Sequence, residues 1–142
     1  MNILLLNRRK KRIGVRKIKA ILKAVLGDLG HEESEISLLL TNDREIRELN
    51  KTYRNLDKPT DVLSFPTNDA TFIGDIAISV DRAVEQAGNG GITLHEELAR
   101  LVIHGTLHLL GHEHEQGGYR ARKMRREEKR LMALITDAGL TA

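Results

Sequence analysis

The chain has 142 residues, enough for one ordinary domain with a buried core. Its composition is 40% hydrophobic and 30% charged with no cysteine, which excludes a disulfide scaffold or a thiolate metal site and implies a soluble, cytoplasmic protein rich in amphipathic helices. No apolar run nears the roughly 20 residues that span a membrane, and the first residues lack a secretory-signal pattern, so neither a membrane nor a disulfide partner is expected.

The net charge of +3 hides an asymmetry. Residues 1–26 carry nine Lys/Arg and no acid, residues 27–119 seven basic and seventeen acidic residues, and residues 120–142 seven basic and three acidic residues. Two basic blocks, Arg8 to Arg12 and Arg120 to Arg126, either suit a phosphate backbone or are solvated loop and helix faces. With only Tyr53, Phe65, Phe72 and Tyr119 as aromatics, a base-stacking platform is not expected.

In chain order, Ile3 to Leu6 reads as a first strand and Arg8 to Gly14 as a basic turn. Apolar residues at 15, 18, 21, 22, 25 and 26 predict an amphipathic helix, ended by Gly27 and Gly30. Glu35 to Thr41 reads as a second strand. Thr41 or Asn42 then caps a helix to about Tyr53 that buries Ile46, Leu49 and Tyr53. After a polar loop, Asp61 to Phe65 is a strand stopped by Pro66, and Phe72 to Ser79 is another; the short gap makes them an antiparallel hairpin. Ser79 or Asp81 begins a helix that ends at Gly88 to Gly91. Thr93 caps a long helix, with Glu96 three residues on, whose buried side carries Leu94, Leu98, Leu101, Val102 and Leu109. A last helix over about 118–138 has Met124, Leu131, Leu134 and Ile135 as its apolar stripe. Four strands and about five helices in this order predict an α+β single domain with a mixed four-stranded sheet.

The long helix runs into His104-Gly-Thr-Leu-His108-Leu-Leu-Gly111-His-Glu-His114, which holds four of the six histidines. His104 and His108 share one helix face, about 6 Å apart along the axis, and can hold one metal ion about 2.1 Å from each nitrogen. Gly111 lets the chain leave the helix in a left-handed conformation and bring His114 back as a third ligand. Were the helix to run on, His112 would lie roughly 12 Å along the axis from His104, too far for one ion. His112 is therefore expected as a neighbour near the rim. Three ligands with one open position form a catalytic arrangement; zinc suits three imidazoles best, with nickel or manganese as alternatives. The bland alternative is a set of polar residues on a half-exposed helix.

The spacing His-x3-His-x2-Gly-x2-His is also that of metzincin proteases, which need a glutamate directly after the first histidine as general base. Here that residue is Gly105, which cannot take a proton, so proteolysis by that mechanism is disfavoured. Glu113 and Glu115 flank His114 and either tune the metal site or are solvated.

This stretch resembles the signature of the YbeY family, bacterial endoribonucleases of rRNA maturation. So do Leu49-Asn-Lys-Thr-Tyr-Arg54, Lys58-Pro-Thr-Asp-Val-Leu-Ser-Phe-Pro66 and Gly74-Asp-Ile-Ala-Ile-Ser79, in matching order and spacing over roughly residues 35–115. The family usually has Asp where Glu113 stands. The resemblance implies one domain over residues 1–142, a single-strand-specific, metal-dependent endoribonuclease and thus a hydrolase acting on ester bonds. It implies a role in 16S rRNA 3′-end maturation and 70S ribosome quality control, with Zn2+ on His104, His108 and His114 and Arg54 as the catalytic residue. Implied partners are the single-stranded rRNA precursor and the ribosome or small-subunit ribosomal proteins.

A guanidinium at Arg54 suits that role because it can hold a phosphate bidentately and stabilise charge growing on its oxygens. The alternative is a helix C-terminal arginine that meets carbonyls and the dipole. Thr60, Asp61 and Ser64 either line the cleft or cap and pack the hairpin. Two other functions stay open: a ribosome-associated RNA- or protein-binding module with a mainly structural zinc, and a metzincin-like hydrolase using some other base.

Overall fold

Apolar residues alternate along β2 (Glu35–Thr41), so Ile36, Leu38 and Leu40 all enter one face of a sheet. Its neighbours are β1 (Asn2–Asn7), β3 (Val62–Pro66) and β4 (Phe72–Ser79), in the order β1-β2-β4-β3. β1, β2 and β4 run parallel, with Ile3 opposite Ile36 and Leu38 opposite Ile76. β3 closes the edge antiparallel to β4, so the expected hairpin is present; the strand starts one residue later than expected and runs through Pro66. A proline at the end of an edge strand costs the ladder little. The computed structural model describes residues 2–8, 13–69, 71–112 and 118–141.

Five helices are present among the described residues: α1 (Val15–Asp28), α2 (Asp43–Arg54), α3 (Val80–Gly90), α4 (Leu94–Leu109) and α5 (Gly118–Asp137). Local chemistry sets their starts. The Asn42 side chain accepts the Glu45 N–H at 2.9 Å and is the cap, while the Thr41 hydroxyl donates to the Glu45 carboxylate at 2.6 Å. Ser79 and Thr93 accept from Arg82 N–H and Glu96 N–H in the same way. The Ser79 hydroxyl also donates to Asp43 at 2.5 Å, and Asp43 pairs with Arg82, which ties the start of α2 to the start of α3.

The main core lies between one face of the sheet and α1, α4 and α5. α4 is its centre. Ten of its sixteen residues are buried, far more than one amphipathic stripe, because sheet, α1, α3 and α5 all pack against it. On the other face α2 covers only β3 and β4, through Ile46, Leu63 and Ala77. Two residues expected in the core are not there. Tyr53 is 68% exposed and lies edge-on to Phe65 with ring centroids 5.5 Å apart. Leu134 is 37% exposed; Ala121 joins Met124, Leu131 and Ile135 on the buried side of α5 instead.

Gly105 is what allows α4 to sit this close to the sheet. A Cβ there would lie 3.0 Å from Ile76 Cγ2 and 3.2 Å from Ser64 Oγ, and that hydroxyl is fixed because it donates to Gly105 O at 3.0 Å. Gly105→Ala should therefore lower unfolding stability by about 1 kcal/mol, because overpacking of about 1–3 kcal/mol outweighs the roughly 1 kcal/mol gained in helix propensity. Urea melts of the two proteins check this, and a more stable variant would show that the contact yields.

Candidate active site

α4 ends where the sequence predicts. Leu109 is its last residue, and Gly111 follows with φ +92°, a conformation that a side chain makes costly. The His112 N–H donates to Leu107 O at 3.0 Å and the Gly111 N–H to His108 O at 3.1 Å. This pair of bonds is the Schellman motif, which satisfies the last carbonyls while the chain turns away. His104 and His108 stay on the helix, and His112 leaves it.

His104 and His108 meet as the four-residue spacing requires. Their Nε2 atoms are 3.1 Å apart, and the rings lie edge-on with centroids 4.6 Å apart. Two imidazoles sharing a tetrahedral ion would hold their nitrogens about 3.4 Å apart, so this convergence is within a few tenths of an ångström of a metal-binding pair. On its other side, His104 Nδ1 is 3.0 Å from Glu128 Oε2 of α5. A carboxylate only accepts, so Nδ1 donates to Glu128, and Nε2 is the ring nitrogen turned towards His108, where an ion would be held.

His114, the third ligand expected from the spacing, lies outside the described residues, as do Glu113 and Glu115. Among the described residues no three His, Cys, Asp or Glu side chains come together as a metal site. The described part of the site is thus two imidazoles and the carboxylate behind one of them.

Arg54, fifty residues upstream of His104, lines the same cavity as His104, His108, Gly111 and His112. It does not turn back on the carbonyls of its own helix. Asn55, in the left-handed conformation, ends α2 with its N–H on Asn50 O, and the Arg54 guanidinium reaches across to donate to Ser64 O at 2.6 Å. Its carbon also sits 5.6 Å from the Phe65 ring centroid, a cation–π contact. One donor edge is thereby anchored on β3, and the group retains further N–H donors.

Ser64 links the two halves of the site. Its carbonyl holds Arg54 and its hydroxyl holds the carbonyl of Gly105, next to His104. Thr60 and Asp61 also line the cavity, and Asp61 at the same time accepts from Val62 N–H at 2.8 Å and from Gln86 at 3.3 Å. Lining and packing are therefore not alternatives for these residues. Below the site, Glu97 is buried inside α4 and held by both arms of Arg100, at 2.6 and 2.8 Å. Those hydrogen bonds raise the Arg100 pKa above its usual value.

Sequence reasoning missed Glu128 and Lys58. Glu128 is one acid among several charges on a polar helix, and no local spacing ties it to His104. Lys58 lines the cavity beside Arg54, and its carbonyl is anchored by Asn50 Nδ2 at 2.9 Å; the loop position gave no sign of this. The same geometry bears on proteolysis. Position 105 faces Ile76 and Ser64 rather than the cavity, and a glutamate there would collide with the sheet.

A sequence profile described as Endoribonuclease YbeY matches residues 5–136. The chain is 43% identical over 141 residues to the Endoribonuclease YbeY of Aquifex aeolicus, covering 96% of this chain and 94% of that one. It is 37% identical over 149 residues to the Endoribonuclease YbeY of Geobacter sulfurreducens, covering 99% of each. Among solved structures it is similar to a Thermotoga maritima protein determined in solution, with TM-score 0.71 and 29% identity over 96% of this chain and 90% of that one. With this extent of match, the chain belongs to the endoribonuclease YbeY family.

Proposed function

We propose that this endoribonuclease cuts single-stranded RNA with a Zn2+ ion held by His104, His108 and His114, and that Arg54 is its catalytic residue. Its substrate is the rRNA precursor at the 3′ end of 16S rRNA, and it acts in 70S ribosome quality control beside small-subunit ribosomal proteins in the cytoplasm. The observation that carries the reading is the single cavity shared by Arg54, His104 and His108, in a chain of an endoribonuclease family. A zinc ion so held supplies Lewis acidity to a phosphoryl oxygen and lowers the pKa of water towards neutrality.

The chain's own residues do the rest. Arg54, anchored on Ser64 O, points its remaining donors at a phosphodiester and stabilises the negative charge that grows on its oxygens. Glu128 fixes the tautomer of His104 and keeps Nε2 unprotonated. Lys58 adds positive charge at the mouth of the cavity and helps hold the strand.

The test is metal analysis of the purified protein together with cleavage of a single-stranded RNA by wild type and His114→Ala. Loss of zinc and of cleavage with the fold retained supports the reading. Unfolding of His114→Ala would point instead to a mainly structural metal.

Arg54→Ala should slow RNA cleavage by about 100-fold or more with zinc content unchanged, and Arg54→Lys should not restore it, since a point charge does not reproduce the guanidinium fork. Single-turnover cleavage rates measure both. Glu128→Ala should weaken zinc retention by about 10- to 100-fold in a chelator competition, whether or not RNA is present. Unchanged retention would make the Glu128 contact incidental to the metal.

A further inference from the structure

The exposed side of α5 carries a feature that the catalytic cavity does not use. Tyr119, Arg122, Arg126 and Lys129 are spaced three, four and three residues apart, which places them in one stripe along the helix, with Arg125 beside it. All five are exposed and together line a single groove. The stripe spans ten residues, about 15 Å at 1.5 Å per residue.

Its charge is uncompensated. No ion pair or hydrogen bond joins Arg122, Arg125, Arg126 or Lys129 to a carboxylate among the described residues. Arg130, four residues after Arg126 and so next to it on the helix, is by contrast paired with Glu127 and with Asp28, both at 2.7 Å. Positive charge is thus neutralised at Arg130 and left open along the stripe. Glu128, whose carboxylate meets His104, immediately precedes Lys129 and lies three residues after Arg125. The helix that supports His104 therefore also carries the basic stripe.

We infer that the groove of Tyr119, Arg122, Arg125, Arg126 and Lys129 is a second RNA-binding site, one that tracks the phosphates of a single strand outside the catalytic cavity. The identity of the polyanion rests on the endoribonuclease reading. Three cations along the stripe with Arg125 beside them suit successive phosphates, and Tyr119, 64% exposed at one end, offers a face on which one base can stack. A membrane surface fits less well. The apolar side of α5, with Ala121, Met124, Leu131 and Ile135, is already spent in the core and leaves nothing to insert.

The experiment measures binding of the intact protein to a single-stranded DNA of about 20 nucleotides, which offers the same phosphates and bases but no 2′-OH, across a range of salt. Arg122→Glu and Arg126→Glu should each weaken binding at low salt by about tenfold and reduce the slope of log affinity against log salt by about 0.7. Arg44→Glu, 90% exposed on α2, is the control for the same change of charge. Tyr119→Ala should weaken binding by about tenfold with the slope unchanged, because stacking releases no counterion.

Variants indistinguishable from Arg44→Glu, in a protein whose wild type cleaves single-stranded RNA, overturn the stripe and leave the endoribonuclease reading standing. A wild type that neither binds the strand nor cleaves RNA overturns both. Retained strand affinity with lost binding to vesicles of about one-fifth phosphatidylserine assigns the stripe to a membrane and overturns the RNA site.

Discussion

The approach of α4 to the sheet at Gly105 is the constraint on which the site depends. Ile76 and the Ser64 hydroxyl occupy the space a side chain would need, so helix and sheet stand at a fixed separation. Ser64 then works in two directions: its hydroxyl holds the Gly105 carbonyl beside His104, and its carbonyl holds the Arg54 guanidinium. One small residue and one hydroxyl thereby set the relation between the histidines of α4 and an arginine that arrives at the end of α2. An interior packed this densely does not drift, and the groups it carries inherit that rigidity.

Around this contact, each partner is stabilised from behind. His104 is held by Glu128, Glu97 by both arms of Arg100, and Arg54 by Ser64 O and Phe65. These bonds come from four different elements, α4, α5, α2 and β3, so the site is assembled by the fold and not by any one segment. α4 is buried on so many sides because β3, β4, α1, α3 and α5 all pack against it.

The same packing separates this chain from the proteases whose histidine spacing it shares. A metal-binding helix with glutamate after its first histidine needs open space there for the carboxylate. Here that direction points at Ile76 and Ser64. The basic flank of α5 extends the comparison between faces of one helix: its buried side holds Glu128 against His104, and its exposed side presents four cations to solvent.

Much of this was legible in the residues themselves. Local hydrogen-bonding chemistry at Asn42, Ser79 and Thr93 and the left-handed turn at Gly111 are properties of short segments, so the ends of α2, α3 and α4 could be read directly. Helical periodicity alone puts His104 and His108 on one face. Burial was less readable where it depends on neighbours: Tyr53 stays outside because α2 covers only half of its sheet face, and on α5 Ala121 is buried while Leu134 is not. What required the tertiary structure was every contact between distant segments. Arg54 on Ser64 O, Glu128 on His104 and the closeness that demands glycine at 105 join residues 10, 24 and 41 positions apart or bring a backbone against the sheet, and no local pattern encodes such distances. Spacing within one helix is fixed by its pitch, whereas the meeting of helices and strands is fixed only when the whole core is packed.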